Sequence, residues 1–215
     1  MHLKPYISPN SVVTMADGSH KNITEVKVGD EVQTYDMSTE EFDCANIHVN
    51  EQVSTKVSRI TTIEVNPNET VEVKLSPKKV WVDGMADTED GDWENEEDST
   101  SNTVIFHGQT AVMGGTNLGW LVGNLETVIK TSPTDEPEEE LRQKFGSIEA
   151  GVEIQMDYGD STTMRQVESV EKRSGDDVEL FYMVVLESGD SIFVDDVMVG
   201  VNKVEEDDSF YHMNV

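Results

Sequence analysis

The chain has 215 residues, with 44 acidic and 15 basic side chains and a formal net charge of -29. A chain of this length can bury one sizeable core, with or without an inserted lobe. The charge leaves no basic surface for a phosphate backbone, so we expect no nucleic-acid partner. The single cysteine, Cys44, excludes an intramolecular disulfide and a cysteine-based metal site. No apolar run is long enough to span a bilayer, and we expect no cofactor, no metal and no membrane partner.

The acidic composition has three interpretations. The favoured one is adaptation to a salty environment, in which screening weakens the repulsion between like charges. The other two are docking onto a basic partner and mimicry of nucleic acid, in which the chain acts as a decoy for a nucleic-acid-binding protein. Composition alone leaves all three open.

The first part of the chain predicts an all-β structure. Short runs rich in β-branched residues are separated by Asp-Gly, Gly-Asp and Asn-Pro-Asn turn sequences. These runs are "SVVTM", "EVQTYD", "VSRITTIEV", "VEVKL" and "KVWVDG". The polar segment 39–56 is predicted to form a long hairpin or loop. Cys44 and His48 would share a face only on a helix, so we interpret them as a packed cysteine and an ordinary histidine.

Residues 85–146 differ in character and are predicted to form an insertion. One helix is expected in "DEPEEELRQKF" (135–145), where acidic residues begin the segment and basic residues end it. The stretch 104–130 is the most apolar part of the insertion. Within it, Trp120, Leu121 and Val122 are the candidate interface residues, because we expect a lobe of this size to leave apolar surface uncovered.

Other site patterns in this region are weak. The run "DTEDGDWENEED" offers carboxylates for calcium, but Gly91 is not sixth after a leading Asp as an EF-hand loop requires, so a solvated loop is preferred. The glycine-rich "AVMGGTNLGWLVGN" lacks the Lys-Ser/Thr of a phosphate-binding loop. Trp81 and Trp93 could anchor an interface, although Trp81 lies in a strand-like run that favours a core position.

The end of the chain repeats the order of its beginning. "VKVGDEVQTYD" (26–36) aligns with "IEAGVEIQMDY" (148–158), and "VSRI" (57–60) with "VESV" (167–170). A third pair is "LSPKKVWVDG" (75–84) with "LESGDSIFVDD" (186–196). Three landmarks in one order indicate a single duplication, with two β units packed about a pseudo-twofold axis.

Three segments resemble the main blocks of the Hint module, the fold shared by inteins and Hedgehog autoprocessing domains. They are "NSVVTMADGSHKNITEVKVGDEVQTYD", "VEVKLSPKKVWVDG" and "ELFYMVVLESGDSIFVDDVMVGVN". The resemblance covers residues 6–84 and 147–202 and implies an all-β horseshoe of two pseudo-twofold related β units with an inserted lobe. The expected organisation is a β domain of residues 1–84 and 147–202, an acidic and apolar insertion of residues 85–146, and a tail of residues 203–215.

The same resemblance implies that the catalytic positions are degenerate. A Cys or Ser nucleophile would fall at Tyr6, whose phenol is a poor acyl acceptor. The histidine that polarises the scissile amide, from a Thr-Pro-Asp-His type of stretch, would fall at Lys79. The closing His-Asn pair would fall at Gly200 and Val201. We therefore expect no catalytic residues and no enzyme activity.

Two shifts of alignment would restore part of the machinery. Ser8 becomes the nucleophile if the first block slips by two residues, and Asn202 becomes the cyclising residue if the last block slips by one. A slip moves side chains to the other face of a strand or lengthens a turn, and neither slip restores a histidine.

The sequence thus favours a non-catalytic structural protein built on a degenerate Hint fold. Hint-like modules without catalytic residues resemble components of tailed-phage particles. We expect a neck, tail or baseplate part, assembled in the host cytoplasm with other virion proteins or as a homo-oligomer. Contacts would be made through the insertion, so deleting residues 86–146 and joining the ends should leave a folded β domain that no longer assembles with its partners. The alternatives are an active autoprocessing domain using Ser8 or Asn202, and the acidic decoy.

Overall fold

A computed structural model describes residues 4–34, 53–77, 79–82, 92–95, 102–115, 118–131, 137–157 and 162–204. The strands are β1 Tyr6–Ile7, β2 Val12–Thr14, β3 His20–Asn22, β4 Glu31–Thr34, β5 Val53–Val65, β6 Thr70–Leu75, β7 Lys79–Val82, β8 Asp92–Asn95, β9 Thr103–His107, β10 Ala111–Met113, β11 Trp120–Val122, β12 Phe145–Ser147, β13 Glu153–Asp157, β14 Thr162–Lys172, β15 Glu179–Leu186, β16 Ser191–Val194, β17 Val197–Gly200 and β18 Asn202–Lys203. The described residues also contain two α-helices, α1 Leu125–Thr131 and α2 Glu138–Lys144, and two 3-10 turns, Ile23–Glu25 and Pro67–Glu69. The all-β prediction is confirmed.

Almost all of the described strands belong to one curled, mainly antiparallel sheet. Its main path runs β12-β11-β10-β17-β13-β14-β6-β9-β1-β15-β5-β4, with β16, β2, β3 and β18 attached at its sides. Strand β6 alternates buried and exposed residues along most of its length, which is the pattern of a strand with one face on the core. Strands β16 and β17 are buried throughout, so they lie in the centre of the molecule. The principal core therefore fills the inside of the curl. No helix among the described residues is both long and apolar enough to cross a bilayer.

The pairing around β5 is repeated around β14. Strand β5 pairs with β4 over residues 53–56 and with β15 over residues 57–65. Strand β14 pairs in the same way with β13 over its first half and with β6 over its second half. Because β6 follows β5 in the chain and β15 follows β14, the two units exchange their third strands. The predicted horseshoe of two related β units is thus confirmed.

The turns that precede β4 and β13 also repeat each other. Gly29 and Gly151 have φ angles of 89° and 92°, which favour glycine because they lie in the left-handed region. The Gly29 amide donates to the Val57 carbonyl at 2.8 Å, and the Gly151 amide donates to the Val167 carbonyl at 2.8 Å. The described parts of the first two predicted landmarks therefore correspond, Gly29 with Gly151 and Val57 with Val167. The third holds only at its start, because β7 leaves the main sheet whereas β16 stays in it.

The structure differs from the predicted boundary of the insertion at residues 85–146. Strand β9 pairs with both β6 and β1, and β10 pairs with β17. Val104, Phe106 and Val112 are buried in the principal core cluster. Most of the apolar stretch 104–130 is therefore part of the β domain. We expect the deletion of residues 86–146 to remove core strands, contrary to the prediction from sequence.

The connection between β6 and β9, residues 76–102, contains two described strands, β7 and β8, that lie outside the main sheet. Its two ends lie side by side, because the Leu75 amide donates to the Asn102 carbonyl at 2.7 Å. The Arg165 guanidinium joins both ends, donating to the Ser76 carbonyl at 2.7 Å through Nε and to Asn102 Oδ1 at 2.6 Å through Nη2. Between these ends, β7 and β8 form a separate two-stranded ribbon.

The two helices pack on the outside of β11 and β12. Helix α2 begins after Pro137 and confirms the helix predicted at 135–145, whereas α1 was not predicted. A satellite cluster forms where the helices meet β11, and its buried members are Ala111, Val122, Leu141 and Phe145. Arg142 ties the two helices together, since its guanidinium donates to Glu126 at 2.8 Å and to Glu138 at 2.9 Å.

The predicted interface residues Trp120, Leu121 and Val122 form β11. Leu121 and Val122 are 2% and 0% exposed, so the prediction of an exposed contact is wrong for both. Trp120 is half-buried and packs against the satellite cluster and against Met113, Phe193 and Met198. The apolar run is covered by α1, α2 and β12, which are distant in sequence or are not predicted from it.

Candidate functional site

The two ends of the β domain meet along one edge of β15. Strand β1 pairs antiparallel with β15, with Tyr6 opposite Met183. Strand β18 pairs parallel with the same strand, with Asn202 opposite Val185. Two residues along a strand span about 7 Å. The position expected for the nucleophile and the end of the last block are therefore neighbours, although they are distant in sequence.

The chain bends sharply as it enters this site. The Tyr6 amide donates to the Lys4 carbonyl at 2.9 Å around the buried Pro5. The hydroxyl of Thr110, which is 1% exposed, donates to the Tyr6 carbonyl at 3.1 Å. Ile7 is buried between β9 and β15. The backbone around residue 6 is thus held from both sides and by a buried side chain.

His107, at the end of β9, packs against the Tyr6 ring. The two ring centroids are 4.6 Å apart with an interplanar angle of 82°, an edge-to-face contact. His107 Nδ1 accepts a hydrogen bond from the Gln109 amide at 3.1 Å, which requires that nitrogen to be unprotonated. Burial lowers the pKa of His107 to about 4. The imidazole is therefore neutral at neutral pH and carries its proton on Nε2.

The Tyr6 phenol is a poor nucleophile in this environment. Burial, and secondarily the negative charge of Glu69, raises the pKa of Tyr6 above its usual value of 10. A phenol becomes reactive toward a carbonyl as the phenolate, and a raised pKa reduces that fraction at neutral pH. The neutral His107 ring and the Tyr6 ring meet edge to face, which is a packing contact.

Lys79, assigned from sequence to the histidine position, does not lie in this site. It begins β7, which pairs only with β8 among the described strands. The residues beside Tyr6 are instead His107 and Thr110, which sequence reasoning placed in the insertion. They carry the two expected residue types, a histidine and a threonine three apart, in reverse order. That reversed spacing directly after a strand is the signal that could have found them.

The remaining positions of the degenerate site are all buried. Ser8 is 2% exposed and belongs to a turn: its carbonyl accepts from the Ser11 amide at 3.0 Å, and its Oγ from the Asn10 amide at 3.4 Å. Gly200 ends β17, and Val201 follows it in the core. Asn202 is 5% exposed and begins β18. The structure thus brings together Tyr6, Val201 and Asn202 along β15.

A turn of two aspartates fixes the last block against the first. Asp195 and Asp196 have φ angles of 51° and 63° in the tight turn between β16 and β17. The Asp195 carboxylate accepts from the Val12 amide at 2.9 Å, and its own amide donates to the Val12 carbonyl at 2.9 Å. Burial raises the pKa of Asp195. Asp196 pairs with Nε2 of His20 at 3.0 Å, so both aspartates hold the β2–β3 hairpin.

No cluster of metal-binding side chains occurs among the described residues. Of the acidic run considered for calcium, only residues 92–95 are described, and they form β8. Cys44 and His48 lie outside the described residues. The described site therefore consists of backbone, hydroxyl, phenol, imidazole and amide groups.

The curled sheet of two related β units, with both ends of the domain meeting along β15, is the Hint, or intein-like, horseshoe fold. Neither a family model nor a curated protein matches the sequence. Three solved structures show the fold. An intein-like domain from Clostridium thermocellum has a TM-score of 0.56 at 12% identity, covering 93% of this chain and 99% of its own. The DnaB intein from Synechocystis has a TM-score of 0.55 at 12% identity, and the alignment covers 92% of this chain and 98% of the intein. The DnaX mini intein from Spirulina platensis has a TM-score of 0.53 at 14% identity, covering 91% of this chain and 99% of the intein.

Proposed function

We propose that the protein is a catalytically silent Hint-fold module with a structural role. The observation that carries the proposal is that residue 6, at the position expected for the nucleophile, is a tyrosine. Its position at the start of β1, beside the end of the last block, is that of the nucleophile in the resembling frame, and it holds a buried phenol with a raised pKa. Self-cleavage needs a nucleophile, a proton acceptor and a group that polarises the amide, and these act as a unit.

The intact mass of the protein tests this proposal. After long incubation with a thiol or with hydroxylamine, we expect only the full-length mass. The matched variant is Tyr6→Cys, which places a thiol where the backbone is already held by Thr110. Fragments ending at residue 5, 7 or 202 from the unaltered protein would contradict the proposal. If only the Tyr6→Cys protein cleaves, residue 6 is the missing part of the machinery.

We further propose that the module is a component of a tailed-phage virion, in its neck, tail or baseplate. The support is the resemblance of non-catalytic Hint modules to parts of such particles, together with an acidic composition suited to seawater. Mass spectrometry of purified particles would test it. Presence in stoichiometric amount is expected, and absence from washed particles would overturn the virion role without bearing on catalytic silence.

A second candidate function, autoprocessing at Asn202, is favoured by one observation. Asn202 is buried and two register positions from the partner of Tyr6. Cyclisation would require the Asn202 side-chain nitrogen to attack the backbone carbonyl carbon of Asn202, which breaks the peptide bond to Lys203 and releases the Lys203 amine. Val201 precedes Asn202 at the position where a histidine would assist. Cleavage after residue 202 that disappears in Asn202→Ala would replace our proposal with this one.

A further inference from the structure

Strand β5 has one edge that no other described strand covers. Strand β15 pairs with one edge of β5 over residues 57–65, whereas β4 pairs with the other edge only over residues 53–56. The turn before β4 extends this cover by one residue, because the Val57 amide donates to the Asp30 carbonyl at 2.9 Å. From residue 58 onward, no described strand pairs with this side of β5. We call residues 58–64 the open edge.

The backbone groups that face the open edge follow from the alternation of the strand. The Glu187 amide, at the end of β15, donates to the Lys56 carbonyl of β5 at 2.9 Å. Because backbone groups point alternately to the two edges of a strand, every second residue of β15 faces β5 in this way. The residues of β5 opposite to those are Arg59, Thr61, Ile63 and Val65. The residues between them, Ile60, Thr62 and Glu64, therefore turn their N–H and C=O groups to the open edge.

The open edge is accessible along its second half. Thr62, Ile63 and Glu64 are exposed, and Ile63 retains 40% of its surface. Within the described part of the chain, no backbone hydrogen bond outside the β5–β15 pairing involves Ile60, Thr62 or Glu64. A long strand edge that contains β-branched residues and no proline is a template for pairing with another strand.

The second β unit has the corresponding edge but carries charge on it. Val57 and Val167 are equivalent, since each accepts from the glycine of its turn and a bulge follows each of them. Residues 61–63 of β5 therefore correspond to Glu171, Lys172 and Arg173 of the second unit. Charged side chains, lysine above all, discourage strand addition at an edge. The run from Ile60 to Ile63 contains no such charge, so the two units differ at the position where pairing is possible.

We propose that the open edge pairs antiparallel with the open edge of a second copy of the chain, about a twofold axis at Thr62. A twofold interface is self-complementary, and the outward residues are spaced evenly about Thr62. In this register Thr62 lies opposite Thr62 of the second copy and Ile60 lies opposite Glu64, so each outward N–H and C=O group has a partner. On the other face of the strands Thr61 lies opposite Ile63. Pairs of β-branched residues stabilise a sheet, and no like charges are directly opposite.

The register also matches charges at its ends. The exposed Lys27 lies in the turn beside Val57, and the exposed Glu69 lies in the turn that follows β5. Because residue 57 falls opposite residue 67 of the second copy, these two turns lie at the same end of the interface. The net charge of -29 on each copy opposes association until salt screens it. The dimer is therefore weak and promoted by salt, whereas binding of a basic partner is weakened by salt.

This inference deepens the proposed structural role and is tested separately from catalytic silence, because the intact-mass result does not depend on it. Analytical ultracentrifugation of the full-length protein over a concentration series measures the dimer fraction. We expect monomer in dilute buffer, and at seawater salinity a dimer whose fraction increases with protein concentration. Monomer at every concentration and salinity would overturn the inference, including the case in which another virion protein fills the open edge.

Amide hydrogen exchange locates the interface without any substitution. In the monomer the Thr61 amide bonds to β15, whereas the Thr62 amide faces the open edge. We expect exchange of the Thr62 amide to slow as the dimer fraction increases, with little change at Thr61. A dimer in which the Thr62 amide exchanges at the monomer rate would place the interface elsewhere and overturn the inference.

Substitution of Thr62 tests the axis, because each change acts in both copies. Thr62→Pro removes the outward amide and leaves the bonds to β15 in place, so it should weaken dimerisation about tenfold or more. Thr62→Lys introduces the residue of the second unit and should also weaken it. Lys172→Thr on β14 is the matched control and should leave dimerisation unchanged. Cooperative urea unfolding checks each fold; if Thr62→Pro does not fold, Thr62→Lys decides. Unchanged dimerisation in the folded variant would overturn the inference.

Discussion

The stability of the protein between pH 7.5 and 5 should report the burial of His107. Its pKa is lowered to about 4 in the folded protein, against 6.5 for the unperturbed group. In this pH window the unfolded chain binds a proton at His107 that the folded chain does not bind. The free energy of unfolding therefore falls as the pH falls, since protons favour the state that binds more of them.

The size of the effect follows from the two pKa values. Each pKa unit corresponds to about 1.4 kcal/mol, so lowering the pH from 7.5 to 5 should cost about 2 kcal/mol through this residue. Because His107 is 6% exposed and contacts the Tyr6 ring, solvent provides little compensation. A buried acid with a raised pKa, such as Asp195, acts in the opposite direction. The folded state binds its proton more tightly than the unfolded state, so this residue increases the free energy of unfolding as the pH falls.

Urea unfolding at several pH values, in buffer of high ionic strength, measures this effect. The free energy of unfolding of the unaltered protein is compared at each pH with that of His107→Gln, whose side chain can still accept the Gln109 amide hydrogen bond but does not titrate. The difference between the two free energies of unfolding should change by about 2 kcal/mol from pH 7.5 to pH 5. His20→Gln is the control and should retain the acid-induced loss. Parallel curves for the unaltered protein and His107→Gln would refute the reasoning.

Three further predictions concern the fold and the charge. Gly29→Ala and Gly151→Ala should each cost about 1 to 2 kcal/mol, because both positions have left-handed φ angles; equal shifts in urea midpoint would support the repeat, and a neutral result at one site would not. Replacing residues 77–101 by a turn should preserve cooperative urea unfolding, whereas deleting 86–146 should abolish it, because that deletion removes β9 and β10 from the sheet. Thermal stability should increase from dilute buffer to seawater salinity if the charge of -29 is a salt adaptation; a flat profile would favour docking or mimicry.

The sequence predicted the parts of the fold that depend on local chemistry. Glycine in the turns before β4 and β13, and the β-branched runs that follow, identified the duplication because turn geometry and side-chain alternation are local properties. The helix at α2 was predicted for the same reason. Short α1 was missed, since its stability depends on packing against Trp120 and α2 more than on its own sequence.

The errors arose where strand pairing is non-local. The run 79–82 has the composition of a core strand, and its sequence does not indicate that β9, and not β7, pairs with β6. As a result, Lys79 was aligned with a catalytic position, and His107 and Thr110 were assigned to an insertion. The clustering of Tyr6, His107 and Asn202 depends on the register of β1, β9 and β18, which only the assembled sheet fixes.

The exchange of β6 and β15 between the two units has a consequence for synthesis of the chain. While the N-terminal half emerges from the ribosome, β5 lacks β15, its neighbour over residues 57–65. That neighbour is translated more than a hundred residues later, and pairing over such a separation is slow. The nascent protein must therefore carry an incomplete half with apolar surface exposed until almost the whole domain has been made. Its dense negative charge would keep such nascent chains apart during that interval.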